Sequence, residues 1–253
     1  MQESVRESGL LHEFLHPRRS APVARTVPDS GATAYSRAAM PGFSFSRKLQ
    51  SDPGDTMKSI CVYCGSNAGS KPAYTERAIA LGDRIAREGL RLVYGGGNVG
   101  LMGTVANAVL EAGGQVTGVI PKQLADWEVA HRGLTELEIV GSMHERKSRM
   151  FDLADGFVAL PGGFGTMEEI FEMLTWRQLG IGNKPCAFLD VEEFYAPLIG
   201  MIDRMVAERF LHPDQRADLW HGGDIDAMLA WMRVYEPAQA SKWIDEKRRD
   251  AMR

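Results

Sequence analysis

The amino-acid sequence predicts an α/β protein: a single Rossmann-like domain built on a doubly wound parallel sheet. Two observations carry that prediction. From Met57 onward, short apolar runs alternate with amphipathic stretches, the pattern of repeated βαβ units. The apolar runs are hydrophobic almost throughout rather than at every second residue, as strands are when helices cover both faces of their sheet. Ligands of such a sheet gather at the carboxyl ends of its strands.

Strands are predicted near residues 58–64, 90–95, 115–120, 136–140, 156–160 and 185–189. The first helix opens with Pro72 and stops at Gly89, which uses the fixed φ of proline at a helix start and the freedom of glycine past a helix end. Further helices are predicted near 100–112, 142–154, 166–179, 194–208 and 224–234, so the domain spans 57–235. Residues 1–56 mix Arg, Ser, Pro, Ala and Gly without periodicity and close on Ser51-Asp52-Pro53-Gly54-Asp55-Thr56, which reads as a disordered extension. Met57-Lys58 then opens directly into the first strand, as an initiating methionine would, and Glu3, Glu7 and Glu13 are unlike a transit peptide. Residues 236–253 read as a C-terminal tail.

A chain of 253 residues has room for one sizeable core. Its net charge of −4 and lack of a Lys/Arg-rich run argue against nucleic acid and for a small anionic ligand held by local dipoles. No stretch approaches the about 18–20 apolar residues that span a bilayer, and Leu10-Leu11 is interrupted at once by His12-Glu13. A cytoplasmic protein without membrane contact is therefore expected. Cys61 and Cys64 form a C-x-x-C, but strand residues three apart point to opposite faces, so packing explains them better than redox or metal chemistry. Cys186 reads as a small core residue. His144 has no second His or Cys at i+4, and neither a metal nor a cofactor is called for.

Three segments carry the chemistry. Leu160-Pro161-Gly162-Gly163-Phe164-Gly165-Thr166-Met167-Glu168-Glu169 places a glycine turn between a strand and a helix N-terminus, where converging N–H groups and the macrodipole suit a phosphate. Carboxylates follow at Glu168 and Glu169, placed in the first helical turn. A structural alternative is that Thr166 and Glu169 form a capping box, S/T-x-x-E. A second glycine turn, Gly95 to Gly103, offers further backbone donors at Gly96 and Gly97. It contains G-x-G-x-x-G at Gly95, Gly97 and Gly100, yet the acidic ribose partner expected about 20 residues on is missing, which favours a mononucleotide over NAD. Third, Met143-His144-Glu145-Arg146-Lys147 puts two cations near a helix start, where they oppose the macrodipole unless an anion is close. The plain alternative there is a solvated face with Glu145 and Arg149 paired at i,i+4.

These segments, with Thr175-Trp176-Arg177-Gln178-Leu179-Gly180-Ile181, resemble the LONELY GUY family of cytokinin-activating phosphoribohydrolases over Lys58 to about Trp231. The family is often labelled a lysine decarboxylase, a label that no pyridoxal-phosphate site in these residues supports. The resemblance implies hydrolysis of the N-glycosidic bond of an N6-substituted adenosine 5′-monophosphate or of AMP, giving free base and ribose 5-phosphate. It implies Arg146 and Glu169 as the catalytic pair, and substrate contacts at Glu128, Lys147, Gly162, Gly163, Gly165, Thr166, Glu168 and Thr175. It also implies a homodimer. The chain departs from the pattern in its long N-terminal segment and near Asn183, where a His or acidic residue is usual. The chemistry agrees: cleaving C1′–N9 builds positive charge on the ribose, which a carboxylate stabilises. A nucleotide-binding sensor without activity and an NAD-linked oxidoreductase are the competing readings.

A chain shortened to begin at Met57 is expected to melt and react like the full chain, because the upstream residues lack the apolar periodicity needed to join a core. Paired thermal melts and rate measurements check this, and a large loss in either would refute it.

Overall fold

The computed structural model describes residues 57–125 and 130–237. Strands β1 (Ser59–Tyr63), β2 (Arg91–Tyr94), β3 (Gln115–Pro121), β4 (Glu136–Val140), β5 (Phe157–Ala159), β6 (Cys186–Leu189) and β7 (Leu219–Gly222) form one parallel sheet. The helices are α1 (Pro72–Arg87), α2 (Gly100–Glu111), α3 (Lys122–Ala125), α4 (Met143–Leu153), α5 (Phe164–Gln178), α6 (Ala196–Ala207), α7 (Pro213–Ala217) and α8 (Ile225–Arg233). Every predicted element is present with its ends within two residues of the expected ones. Three short elements went unpredicted: α3, α7 and β7, whose Leu-Trp-His-Gly sequence carries neither a β-branched run nor a period.

The strand order is β4-β3-β2-β1-β5-β6-β7. Chain growth runs outward from β1 to one edge, then returns to build outward on the other side, so the order reverses between β1 and β5. That reversal opens a crevice at the carboxyl ends of these two strands, the place where doubly wound sheets bind ligands. Helices α1, α2 and α8 cover one face through Leu81, Val105 and Met228, and α4, α5 and α6 cover the other through Met150, Ile170 and Ile202. Alternate strand residues serve the two layers. Cys61 lies in the α4–α6 layer and Cys64 in the α1–α2 layer, and both thiols are free and buried, so they form no redox pair. Cys186 is likewise buried, in the layer of Cys61.

No helix among the described residues is long and apolar enough to cross a membrane. Residues 1–56, Glu128 and residues 238–253 of the expected tail lie outside the described residues.

Candidate active site at the carboxyl edge of the sheet

Three glycine turns meet at the crevice. Gly65, beyond β1, donates its N–H to the Pro161 carbonyl beyond β5 at 3.1 Å, and Leu101 at the start of α2 donates to the Gly65 carbonyl at 3.0 Å. Gly100 takes φ +57°, and a Cβ there would lie 2.3 Å from the Ser66 carbonyl carbon and 2.4 Å from the Asn67 nitrogen. A Cβ on Gly162 would lie 2.1 Å from Thr166 Oγ1. Only glycine fits at either position: at Gly100 the collision is with the main chain of the β1 turn, and at Gly162 with the buried Thr166 side chain and the Gly65 nitrogen 2.9 Å away.

Helix α5 begins two residues earlier than expected. Gly163 is its N-cap, Phe164 its first residue, and no side chain caps it. Thr166 is therefore the third helical residue, buried against Gly162, and the Thr166–Glu169 capping box does not form. Glu168 and Glu169 stand in the second turn rather than the first. The leading N–H groups of α5, at Phe164, Gly165 and Thr166, precede the first intrahelical bond and suit an anionic oxygen. The S-x-x-E device is instead used by α4. There Ser142 Oγ accepts the Glu145 N–H at 3.1 Å, and Glu145 Oε2 accepts the Gly141 N–H at 2.7 Å. Glu145 thus serves the cap, and Arg149 forks onto Glu138 at 2.6 and 2.8 Å, which replaces the Glu145–Arg149 pair of the plain alternative.

Arg146 is 6% exposed. Its Nε donates to the Val119 carbonyl at 3.2 Å and its Nη2 to the Gly95 carbonyl at 3.3 Å, while Nη2 lies 3.6 Å from Glu169 Oε1. A Cβ on Gly95 would lie 2.0 Å from Nη2, so that glycine exists to admit the guanidinium. The charge has left the α4 terminus for the carbonyl ends of β2 and β3, which removes its conflict with the α4 dipole. Glu169 is close to β1 as well: burial first, and the Glu169 carboxylate second, push the Cys64 thiol well above its ordinary range.

Lys147 reaches Glu168 Oε1 at 2.5 Å and Glu172 Oε1 at 3.2 Å, tying α4 to α5. Burial works against its charge, and the hydrogen bonds to Glu168 and Glu172 outweigh it, so its pKa is raised. Glu172 escaped the sequence reading; its position one turn after Glu168 on the same helix face was the available signal. Tyr195 also escaped it. Its phenol donates to the Leu160 carbonyl at 2.7 Å, directly before the glycine turn, and a lone aromatic in an apolar stretch gives no sign of such a contact.

The second glycine turn is braced by protein. Gly96, at φ +78°, gives its carbonyl to the His131 N–H at 2.9 Å, and Gly97 bridges Ala130. His131 Nδ1 accepts from the Gly133 N–H at 3.2 Å, so the ring's proton is on Nε2, 2.8 Å from Asn107 Oδ1. Gly95 and Gly100, two of the three glycines in G-x-G-x-x-G, thus admit Arg146 and the β1 turn, which accounts for them without a dinucleotide. Thr175 is not brought to the crevice. It is exposed on α5, nine residues and hence about 13 Å along the axis from Thr166, with its hydroxyl donated to the Phe171 carbonyl.

Fold and rim together define a Rossmann-like α/β protein with an arginine–glutamate pair set among main-chain anion donors. A family described as "Possible lysine decarboxylase" matches residues 102–230. A cytokinin riboside 5′-monophosphate phosphoribohydrolase of Rhodococcoides fascians is 50% identical over 179 residues, covering 70% of this chain and 90% of that one. Another, from Arabidopsis thaliana, is 45% identical over 180 residues, 71% of this chain and 83% of that one. A probable one from Oryza sativa subsp. japonica is 44% identical over 189 residues, 73% and 85% of the two chains. The chain belongs to this LONELY GUY (LOG) family. Among solved structures, the molybdenum cofactor binding protein of Rippkaea orientalis and the molybdenum cofactor carrier protein of Chlamydomonas reinhardtii share the fold. Each aligns at a TM-score of 0.53 and 21% identity over 69% of this chain and 94% of the other.

Gly100→Ala is expected to lower stability by about 2–3 kcal/mol, since it adds a strained φ to a backbone collision. Denaturant melts of the two proteins measure it, and a change under about 0.5 kcal/mol would show that the dovetail yields easily.

Proposed function

We propose that this protein hydrolyses the N-glycosidic bond of adenosine 5′-monophosphates, N6-substituted or plain, releasing the free base and ribose 5-phosphate. The observation that carries the reading is the Arg146–Glu169 pair, 3.6 Å apart with the arginine buried, beside the glycine turn, in a chain 50% identical over 179 residues to a phosphoribohydrolase. We assign the 5′-phosphate to the leading N–H groups of α5 together with Gly162, Gly163, Gly165 and Thr166. Oriented N–H groups and the helix dipole are matched to an anion there. Binding energy from that remote group would fix the ribose against Glu169.

Glu169 then takes the catalytic role. As C1′–N9 lengthens, the ribose gains positive charge, and a carboxylate beside the ring stabilises it and orients the attacking water. Arg146, held from behind by two carbonyls and with Nη1 against only the weak Met143 thioether acceptor at 3.7 Å, can turn N–H groups to phosphate or ribose oxygens. Lys147 acts through the carboxylates it binds, Glu168 foremost, and Glu168 is assigned to accept from a ribose hydroxyl. The expected contacts from Glu128, and from Gly96 and Gly97 on the second turn, belong to the same reading, whereas Thr175, with its hydroxyl on the Phe171 carbonyl away from the crevice, is left out of it.

We place this activity in the cytoplasm, where three buried free thiols remain reduced. We infer a homodimer, which exposed apolar side chains such as Met143, Phe164 and Leu179 on and beside α4 and α5 favour; sedimentation analysis tests it.

Incubation with AMP and with N6-isopentenyl-AMP, followed by chromatography for free base, tests the reaction itself; no base from either would overturn it. Glu169→Gln keeps the size of the side chain and removes the charge. It is expected to cut kcat on the order of 10²-fold or more with nucleotide affinity largely kept. A variant holding more than about a tenth of the wild-type rate would sink the assignment of Glu169.

If the glycine turn reads the 5′-phosphate, adenosine is cleaved far more slowly than AMP, and the loss appears in kcat as well as KM. Steady-state comparison of the two substrates decides it. Equal kcat/KM would mean that the turn serves another purpose.

A further inference from the structure

The ladder between β1 and β5 slips by one residue as it leaves the sheet. The pairs Cys61↔Phe157, Val62↔Val158 and Tyr63↔Ala159 set a regular parallel register, and its rung from the Leu160 N–H to the Tyr63 carbonyl is in place at 2.9 Å. In a regular parallel pair the next rung would run from the Gly65 N–H to the Leu160 carbonyl. Gly65 instead donates one residue further on, to the Pro161 carbonyl at 3.1 Å. The Leu160 carbonyl accepts the Tyr195 phenol at 2.7 Å in its place.

That phenol is closely aimed. Tyr195 is 1% exposed and stands immediately before α6. Its N–H donates to Asp190 Oδ1 at 3.0 Å, and Asp190 Oδ2 lies 2.9 Å from His221 Nε2. Burial pushes the phenol's pKa well up, so the group remains a donor throughout the physiological range.

We propose that Tyr195 is a positioning residue for the phosphate turn: by drawing the Leu160 carbonyl out of the β1–β5 ladder, its phenol maintains the one-residue slip that places Pro161-Gly162-Gly163. The proposal rests on the phosphate reading above. Without the phenol, the Leu160 carbonyl has a ready donor in Gly65, and a return to the regular register would release Pro161 and carry Gly162 with it. Little slack exists there, since a Cβ built on Gly162 would stand only 2.9 Å from the Gly65 nitrogen. The effect of losing the phenol thus falls on main-chain donors that Tyr195 itself never touches.

Tyr195→Phe removes one hydroxyl and keeps the ring. The test measures its thermal melt, its affinity for ribose 5-phosphate by calorimetry, and kcat and KM for AMP. The expected result is a folded protein whose Kd for ribose 5-phosphate and KM for AMP both rise about tenfold, the equivalent of one lost hydrogen bond's alignment, with a smaller change in kcat. A purely structural role would lower the melting temperature and the active fraction while leaving Kd and KM of the folded protein unchanged, and that outcome overturns the proposal. If the variant does not fold, Asp190→Ala decides on the same readouts. It takes away the acceptor that fixes the Tyr195 backbone, and it should shift both constants in the same direction by a smaller factor. Wild-type protein that binds ribose 5-phosphate but leaves AMP intact fails the proposed reaction while the Kd comparison still judges Tyr195. Wild-type protein that binds no ribose 5-phosphate overturns the positioning role itself.

Discussion

The site depends on a buried guanidinium resting on the carbonyl ends of two strands. Arg146 enters from α4, crosses above β3 and β2, and meets Glu169 from α5. A buried cation without partners is costly, and here two carbonyls and a carboxylate share it. The same contact explains Gly95, whose missing side chain is the volume that the guanidinium occupies. It also explains why α4 and α5 must be neighbours: they cover the same face of the sheet, and Lys147 repeats the link one residue later through Glu168 and Glu172.

The fold was legible in the sequence because its signals are local and repeated. Solidly apolar runs such as Ile60-Cys61-Val62-Tyr63 and the Pro72-to-Gly89 helix frame are read within a few residues of themselves. The elements that went unread, α3, α7 and β7, are four, five and four residues long, and β7 and α7 exist because β6 and α6 are there to receive them. The site was legible in identity more than in geometry. Arg146 does meet Glu169, and Lys147 does meet Glu168, yet the spacing Thr166 to Glu169 suggested a cap that α4 uses instead, at Ser142 and Glu145. A motif of four residues cannot distinguish the first turn of a helix from the second. Tyr195 shows the other limit. Its partner is 35 residues away in sequence, and only the three-dimensional fold brings phenol and carbonyl together.

The two layers of the protein divide the labour. The α1–α2 side is closely packed: a Cβ on Gly82 would lie 2.7 Å from Ala108 Cβ, so the two helices approach nearly to backbone contact. That layer anchors the β1 and β2 turns through Leu101 and Gly100. The α4–α5 side supplies the charged groups. Rigidity thus comes from one face and chemistry from the other, with the carboxyl edge of the sheet as the seam between them.

The dovetailed turns have a consequence for how such a protein can diverge. Gly65, Gly100 and Gly162 hold the rim by main-chain contacts, while Phe164, in the middle of the motif, points away from it and is 96% exposed. A rim joined through peptide groups offers few side chains for point substitutions to edit. Substitution at the exposed Phe164 can therefore change the surface of the motif while the joined turns are inherited unchanged. Lineages built on this frame would be free to explore new surface chemistry one residue at a time, with the joined turns held by geometry rather than by selection on any single side chain.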